Sequence, residues 1–295
     1  MTTPQQHRRA LLLLICANFL WSIAGVFTRH LDSAKSFEVT FWRSLFCALT
    51  LIVWFVYARG FAGATAYVRA SGKPGLISGA MWAIMFTCFM IALTLTSTAN
   101  TLIVNALSPL FATLLAWAVL KIFVPGHTWM AIAVALFGII ILFANQTGGG
   151  WLGTIIAFGV PVASAINIVT LKKTGAHVDL APAVLTGALI SCAITLPLSL
   201  PLAASTKDVT LLAILGIFQL GIPCVMMVRA SAHLAAPELA LLGLLEVIMG
   251  PLWSWLGAGE VPAGSTLVGG AIVLAALVAN ELVAKSQLSE KREAA

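Results

Sequence analysis

Glu246 stands deep inside an apolar run that extends from about residue 235 to 257, far from any loop. A carboxylate in the middle of a membrane span costs roughly 2.5–3.5 kcal/mol even on an insertion scale, so it marks a pathway or a binding site unless something pairs it. Two chemistries suit it. It can take up and release a proton that couples solute movement to a gradient, or it can face the amine of a cationic or zwitterionic solute. Against both stands a buried ion pair, for which Arg43 is the one Lys or Arg inside an apolar run. Arg43 follows Phe41-Trp42 near the end of its run. There an arginine either snorkels to the interface or binds a carboxylate.

Other polar groups fall at the same depth. Thr98, Thr101, Asn105, Ser108 and Ala112 recur at steps of three and four, which puts them on one helical face. Leu239, Gly243, Glu246, Gly250 and Trp253 form a comparable face. Asn18, Trp21 and Ser22 lie in the first apolar run, Asn167 in the sixth and Gln219 in the eighth. Small and polar residues in a span turn toward neighbouring helices or a water-filled cavity, so close packing competes with solute binding at each position. Pro161 and Pro223 add a third role for Asn167 and Gln219, which can satisfy backbone freed by a kink. Trp21, Trp82, Met85, Phe86, Trp117 and Met226 suit the wall of an apolar cavity for a bulky or aromatic solute, or plain core and lipid contact. Trp54, Trp129 and Trp151 sit near run ends, as interfacial belt residues do.

Other chemistries find little support. The five cysteines lie within apolar runs, without a CxxC pair or His and Cys at metal-ligand spacing, so no metal and no cofactor is expected. Gly148, Gly150 and Gly153 match G-x-G-x-x-G, but no strand precedes them, and the segment reads as a glycine turn. Gly75 and Gly79 form a GxxxG suited to helix packing. G-x-S-x-G, H-E-x-x-H and P-loop motifs are absent. A membrane enzyme would cluster several His, Asp or Glu near one interface, whereas His30, His127, His177 and His233 are scattered among loops. The sequence therefore points away from an enzyme. The net charge of +6 comes without a basic patch, so no nucleic acid is expected as partner.

The elements that must position these residues follow from composition. Of 295 residues 60% are hydrophobic and only 9% charged, against about a quarter charged in soluble domains. A span takes about 20 apolar residues, and apolar runs fall at 10–28, 38–58, 75–95, 98–120, 128–144, 151–171, 181–202, 209–229, 235–257 and 265–284. The polar run Thr94, Thr96, Ser97, Thr98 marks the turn between the third and fourth. His7-Arg8-Arg9 before the first run resembles a secretory signal, but without a convincing cleavage site a retained helix is expected. Lys and Arg stay on the cytoplasmic side. With both termini inside, that side collects Arg8, Arg9, Arg59, Arg69, Lys73, Lys121, Lys172, Lys173, Arg229, Lys285, Lys291 and Arg292, and the other side only Arg29, Lys35 and Lys207.

An offset of 138 residues aligns Leu107, Leu114, Trp117, Gly126 and Thr128 with Leu245, Leu252, Trp255, Gly264 and Thr266. Five helices per half is odd, so two such halves enter the membrane from opposite sides, with a site near the midplane between them. The expected fold is an all-α integral membrane protein of ten transmembrane helices in two inverted five-helix repeats around a central cavity. The repeats span 10–145 and 151–284, between a cytoplasmic N-terminus (1–9) and a cytoplasmic tail (285–295).

Leu20-Trp21-Ser22 in helix one, an Arg early in helix two, and Leu245-Glu246 leading to Gly259-Glu260 complete a pattern that resembles the EamA-type exporters of the drug/metabolite transporter superfamily across essentially the whole chain. Within them it is most similar to the bacterial aromatic amino-acid exporters. The resemblance implies export of amino acids from cytoplasm to periplasm across the bacterial inner membrane, by alternating access and without ATP, by a monomer whose partners are its small-molecule substrate and the lipid bilayer. Ser108 and Lys121-Ile122 depart from the acidic residues that many members keep in the first half, which leaves Glu246 without a counterpart in helix four. The other transport reading is a multidrug or metabolite exporter of organic cations anchored at Glu246. On either reading the solute-binding set is Asn18, Trp21, Ser22, Trp82, Thr101, Asn105, Ser108, Asn167, Gln219 and Glu246.

Overall fold

The computed structural model describes residues 4–144, 150–174, 181–231, 233–234 and 236–293. The glycine turn at Gly148 and His177 lie outside them. Among the described residues every regular element is helical, and ten helices are long and apolar enough to cross a membrane. They are α1 (Gln5–Thr28), α2 (Ser36–Ala70), α3 (Gly72–Leu95), α4 (Thr98–Leu120), α5 (Gly126–Phe143), α6 (Gly150–Thr170), α7 (Pro182–Ser199), α8 (Thr206–Met227), α9 (Leu241–Ala258) and α10 (Gly264–Ala284). The ten expected spans are all present. The segment after residue 58, expected as a loop, instead continues α2: Gly60 takes φ 68°, open to glycine, and the helix resumes to Ala70.

Three helices are interrupted where proline forbids the regular ladder. Proline lacks an N–H and its ring strikes the carbonyl four residues back. Pro109 lies just after the break between Asn105 and Ser108 in α4, and Pro161 follows the break at Phe158 in α6. In α8, Pro223 cannot bond the carbonyl of Gln219, and the chain runs through a wide π-helical stretch, Leu215–Gly221. α1 also breaks, at Ile23. The polar face expected along α4 is thereby cut in two at residues 106–107.

α5 packs on α10, α3 on α7 and α6, α2 on α7 and the π stretch of α8, and α1 on α8 and α9. In α4, Thr98–Asn105 packs on α6, α9 and α10, whereas Ser108–Leu120 packs chiefly on α6. α5 and α10 approach at glycine: a Cβ on Gly138 would stand 2.7 Å from the carbonyl oxygen of Gly269, and one on Gly269 would meet the carbonyl of Gly138. Close backbone approach of this kind is how spans gain van der Waals contact when lipid is as apolar as the partner.

The loops 29–35, 96–97, 200–205 and 259–263 share one face of the bundle and are bonded to one another. Arg29 donates from Nε to Glu260 at 2.8 Å and from Nη1 and Nη2 to the carbonyls of Leu93 (2.8 Å) and Thr96 (2.6 Å). Glu260 also accepts from the backbone N–H of Thr98 at 2.6 Å and its hydroxyl at 2.8 Å. Asp208 accepts from the N–H groups of Asp32, Ser33 and Ala34 and closes a capping box with Ser205. Glu38, fully buried, accepts from the N–H groups of Ala203 and Ala204. This face is sealed. Toward the other face, which carries the start of α1 and the end of α10, α4 and α9 part company. There Leu239 and Leu242 pack with Ala10 and Leu14 of α1, and a Cβ on Gly243 would meet nothing within 4 Å.

Two expectations follow. Gly138→Val should lower stability by about 1–3 kcal/mol by overpacking the α5–α10 contact, while Gly264→Ala, where a Cβ meets open space, should leave it unchanged; thermal unfolding in detergent checks both. Burial pushes the Glu260 carboxyl up, but its bonds to Arg29 and Thr98 outweigh this and hold it below the usual carboxylate range. A depressed pKa contributes stability that is complete above the unfolded value, near 4.3 for Glu, and is lost as pH falls through the folded one. Glu260→Gln should therefore cost about 1–3 kcal/mol at neutral pH. The gap to wild type should narrow on acidification below about pH 4, and a gap that stays constant with pH would contradict this account.

Candidate functional site

The interior between α1, α2, α3, α8 and α9 brings several of the expected residues together. Arg43 is 2% exposed, so it does not snorkel to the interface. Its Nε donates to Oε1 of Gln219 at 2.9 Å, and its guanidinium carbon stands 5.9 Å and 5.7 Å from the ring centres of Phe86 and Phe89. Gln219, turned inward by the π stretch of α8, donates from Nε2 to the carbonyl of Trp21 at 3.1 Å. One side chain thus ties α2 to α8 and α8 to α1. The Nη1 atom of Arg43 is buried with no partner.

Glu246 is half-buried on α9 and is an electrostatic neighbour of Arg43. The two do not form a direct ion pair among the described residues. The interior thus holds an acidic and a basic side chain within electrostatic range of each other and not in contact. In a medium of low dielectric each is a strong attractor for a complementary ligand charge.

Of the α1 residues, Trp21 joins this group through its carbonyl. Asn18, 1% exposed, donates from Nδ2 to the carbonyl of Leu14 at 2.8 Å and leaves its Oδ1 unpartnered. Ser22 accepts from the indole N–H of Trp253 at 3.0 Å, and Phe19 meets the Trp253 ring edge-on with centroids 5.7 Å apart. Trp82 packs by Phe86, centroids 5.4 Å apart, between two apolar clusters.

The α4 residues lie elsewhere. Thr98 is under the seal, accepting from the Ser254 hydroxyl at 3.0 Å. Thr101, 1% exposed, bonds the Ser97 carbonyl, and Ser108 donates to the carbonyl of Asn105 at the break. Asn167 on α6 is buried with its Oδ1 unpartnered. Trp117, 47% exposed, stacks edge-on against Trp129 on the outside of the bundle, away from the interior. Among the described residues no group of His, Cys, Asp and Glu side chains is placed to hold a metal ion.

Sequence reasoning passes over the seal. Arg29 counts there only as a loop charge, and Glu38 and Asp208 carry no role. The capping pattern Ser205-x-x-Asp208 is the one local signal available; the bonds from Asp208 to loop 32–34 and from Glu260 to Arg29 join positions more than 170 residues apart.

Comparison with known proteins agrees with this architecture. Residues 8–144 match the model of the EamA-like transporter family. The chain is 22% identical over 277 residues to the pseudopaline exporter CntI of Pseudomonas aeruginosa, covering 92% of this chain and 95% of that protein. It is 23% identical over 318 residues to human solute carrier family 35 member G1, covering 98% and 85%. A solved crystal structure shares the fold, with a TM-score of 0.65 at 18% identity over 94% of this chain and 98% of its own. These likenesses are to transporters rather than to enzymes. The first five helices of this ten-helix membrane protein thus match the EamA-like transporter family, and nearly the whole chain is similar to an exporter and to a solute carrier.

Proposed function

We propose that the chain is, over its whole length, an EamA-type secondary transporter of the drug/metabolite transporter superfamily. In this reading it exports amino acids, aromatic or of broad range, from cytoplasm to periplasm. It works as a monomer in the bacterial inner membrane with both termini cytoplasmic. The observation that carries the reading is an unbridged basic and acidic side chain, Arg43 and Glu246, in one interior. An amino acid brings one charge of each sign, so it satisfies both at once and leaves the site neutral. Phe86, Phe89 and Trp82 beside Arg43 suit an aromatic side chain.

The packing supports two five-helix repeats, 10–145 and 151–284. Exchanging α1–α5 with α6–α10 turns the α3–α7 contact into α8–α2, α3–α6 into α8–α1, and α4–α6 into α9–α1, and returns α2–α7, α4–α9 and α5–α10 to themselves. With the termini cytoplasmic, the sealed face is periplasmic and the parting of α4 and α9 opens toward the cytoplasm. This is the conformer that loads solute before export. Alternating access then requires the Arg29–Glu260 seal to break while the opposite end closes.

An exporter of organic cations is the second reading, favoured by the half-exposure of Glu246 beside a fully buried Arg43. Uptake of radiolabelled phenylalanine, tryptophan, threonine and a quaternary amine into proteoliposomes, with and without a pH gradient, separates the two. Amino acids should move, and Glu246→Gln should slow them at least about tenfold. Movement of the amine alone would favour the cation reading, and unchanged amino-acid transport in Glu246→Gln would remove Glu246 from the site. A rate that depends on the gradient in wild type and not in the variant would make Glu246 the coupling group.

A further inference from the structure

We infer that Arg43 is the carboxylate receptor of the site, and that Gln219 is the positioning residue that holds one edge of its guanidinium so that the Nη1 donors stay free for the ligand. The inference rests on the amino-acid reading above and adds to it a named requirement, a free carboxylate on the substrate.

A guanidinium carries five N–H donors in a rigid fork and cannot shed its charge. Buried guanidinium groups that serve structure are surrounded by acceptors, because an unsatisfied charged donor costs the full desolvation penalty. Arg43 departs from this pattern. It is 2% exposed, its Nε is taken by Gln219, aromatic rings lie at 5.9 and 5.7 Å, and its Nη1 has no acceptor. The arrangement leaves a donor of the fork without an acceptor, and the planar acceptor that Arg binds best is a carboxylate.

The neighbourhood narrows the ligand further. The carboxyl of Glu246 lies within electrostatic range. A dianionic phosphate would leave the interior net negative, whereas a zwitterion brings an ammonium group to face that carboxyl as well as a carboxylate for Arg43. Gln219 is itself fixed, by its bond to the Trp21 carbonyl and by the π stretch that Pro223 imposes. Wide turns of this kind recur at functional sites. Here the turn aims an amide at the Nε edge of the guanidinium.

The test is competition against radiolabelled phenylalanine uptake in proteoliposomes by unlabelled phenylalanine and by phenethylamine, which lacks only the carboxylate. In wild type, phenylalanine should compete at least about tenfold better. That ratio should collapse to within about twofold in Arg43→Gln, and equally in Gln219→Glu, which places a permanent carboxylate against Arg43; thermal unfolding of each variant confirms its fold. If wild type moves phenylalanine but accepts both competitors alike, the carboxylate receptor is overturned and the amino-acid reading stands. The same holds if folded Arg43→Gln keeps the preference. If wild type moves no phenylalanine at all, the amino-acid reading fails and the inference with it. Should Arg43→Gln not fold, the wild-type ratio and Gln219→Glu still decide.

Discussion

The architecture depends on one ion pair at the edge of the bilayer, Arg29 with Glu260. Its energy alone is modest, as for any partly exposed pair. Its reach is not. The arginine fork also takes the last carbonyls of α3, and the carboxylate also takes the first N–H of α4, so the ends of α1, α3 and α4 and the loop after α9 meet on two side chains. These are the helix termini whose backbone groups lack partners of their own. By satisfying the end of α3 and the start of α4 from side chains, the pair lowers the cost of holding them against α1 and the loop after α9, while α4 and α9 part toward the opposite face.

Apolar and polar contacts divide the work between them. Pairs such as α5–α10 and α3–α7 are held by close packing of small residues, the means by which spans associate in lipid. Charges and amides add directional bonds across seams that are also packed: α2 to α8 to α1 through Arg43 and Gln219, and α10 to α4 through the Thr266 hydroxyl and Asn100 at 2.9 Å. Packing brings the helices together, and the hydrogen bonds fix their register along those seams.

Much of the fold was legible in the sequence because membrane spans are long, apolar and bounded by charge, and all ten were recognisable from that alone. The site was legible only in part. Glu246 declared itself by its cost in lipid, and Gln219 by its depth, but the same depth signal could not tell a solute ligand from a bond to Arg43. The face drawn from Thr98 to Ala112 assumed an unbroken helix, and Pro109 interrupts it. Arg43 was ambiguous because position along a span does not report burial, which depends on what α3 and α8 place around it. The seal was illegible for a simpler reason: Arg29 and Glu260 are 231 residues apart, and no local pattern links them.

The bend at Gly60 carries a consequence for how the molecule rides in its membrane. α2 and its continuation hold 35 residues, well beyond the about 20 needed to cross the hydrocarbon, and the bend leaves Tyr57 86% and Phe61 77% exposed, with the Arg59 guanidinium 3.8 Å over the Tyr67 ring. Aromatic rings and arginines in that arrangement belong at headgroup level. The segment after the bend thus carries the side chains that suit an interfacial position, beyond the length that a single span requires.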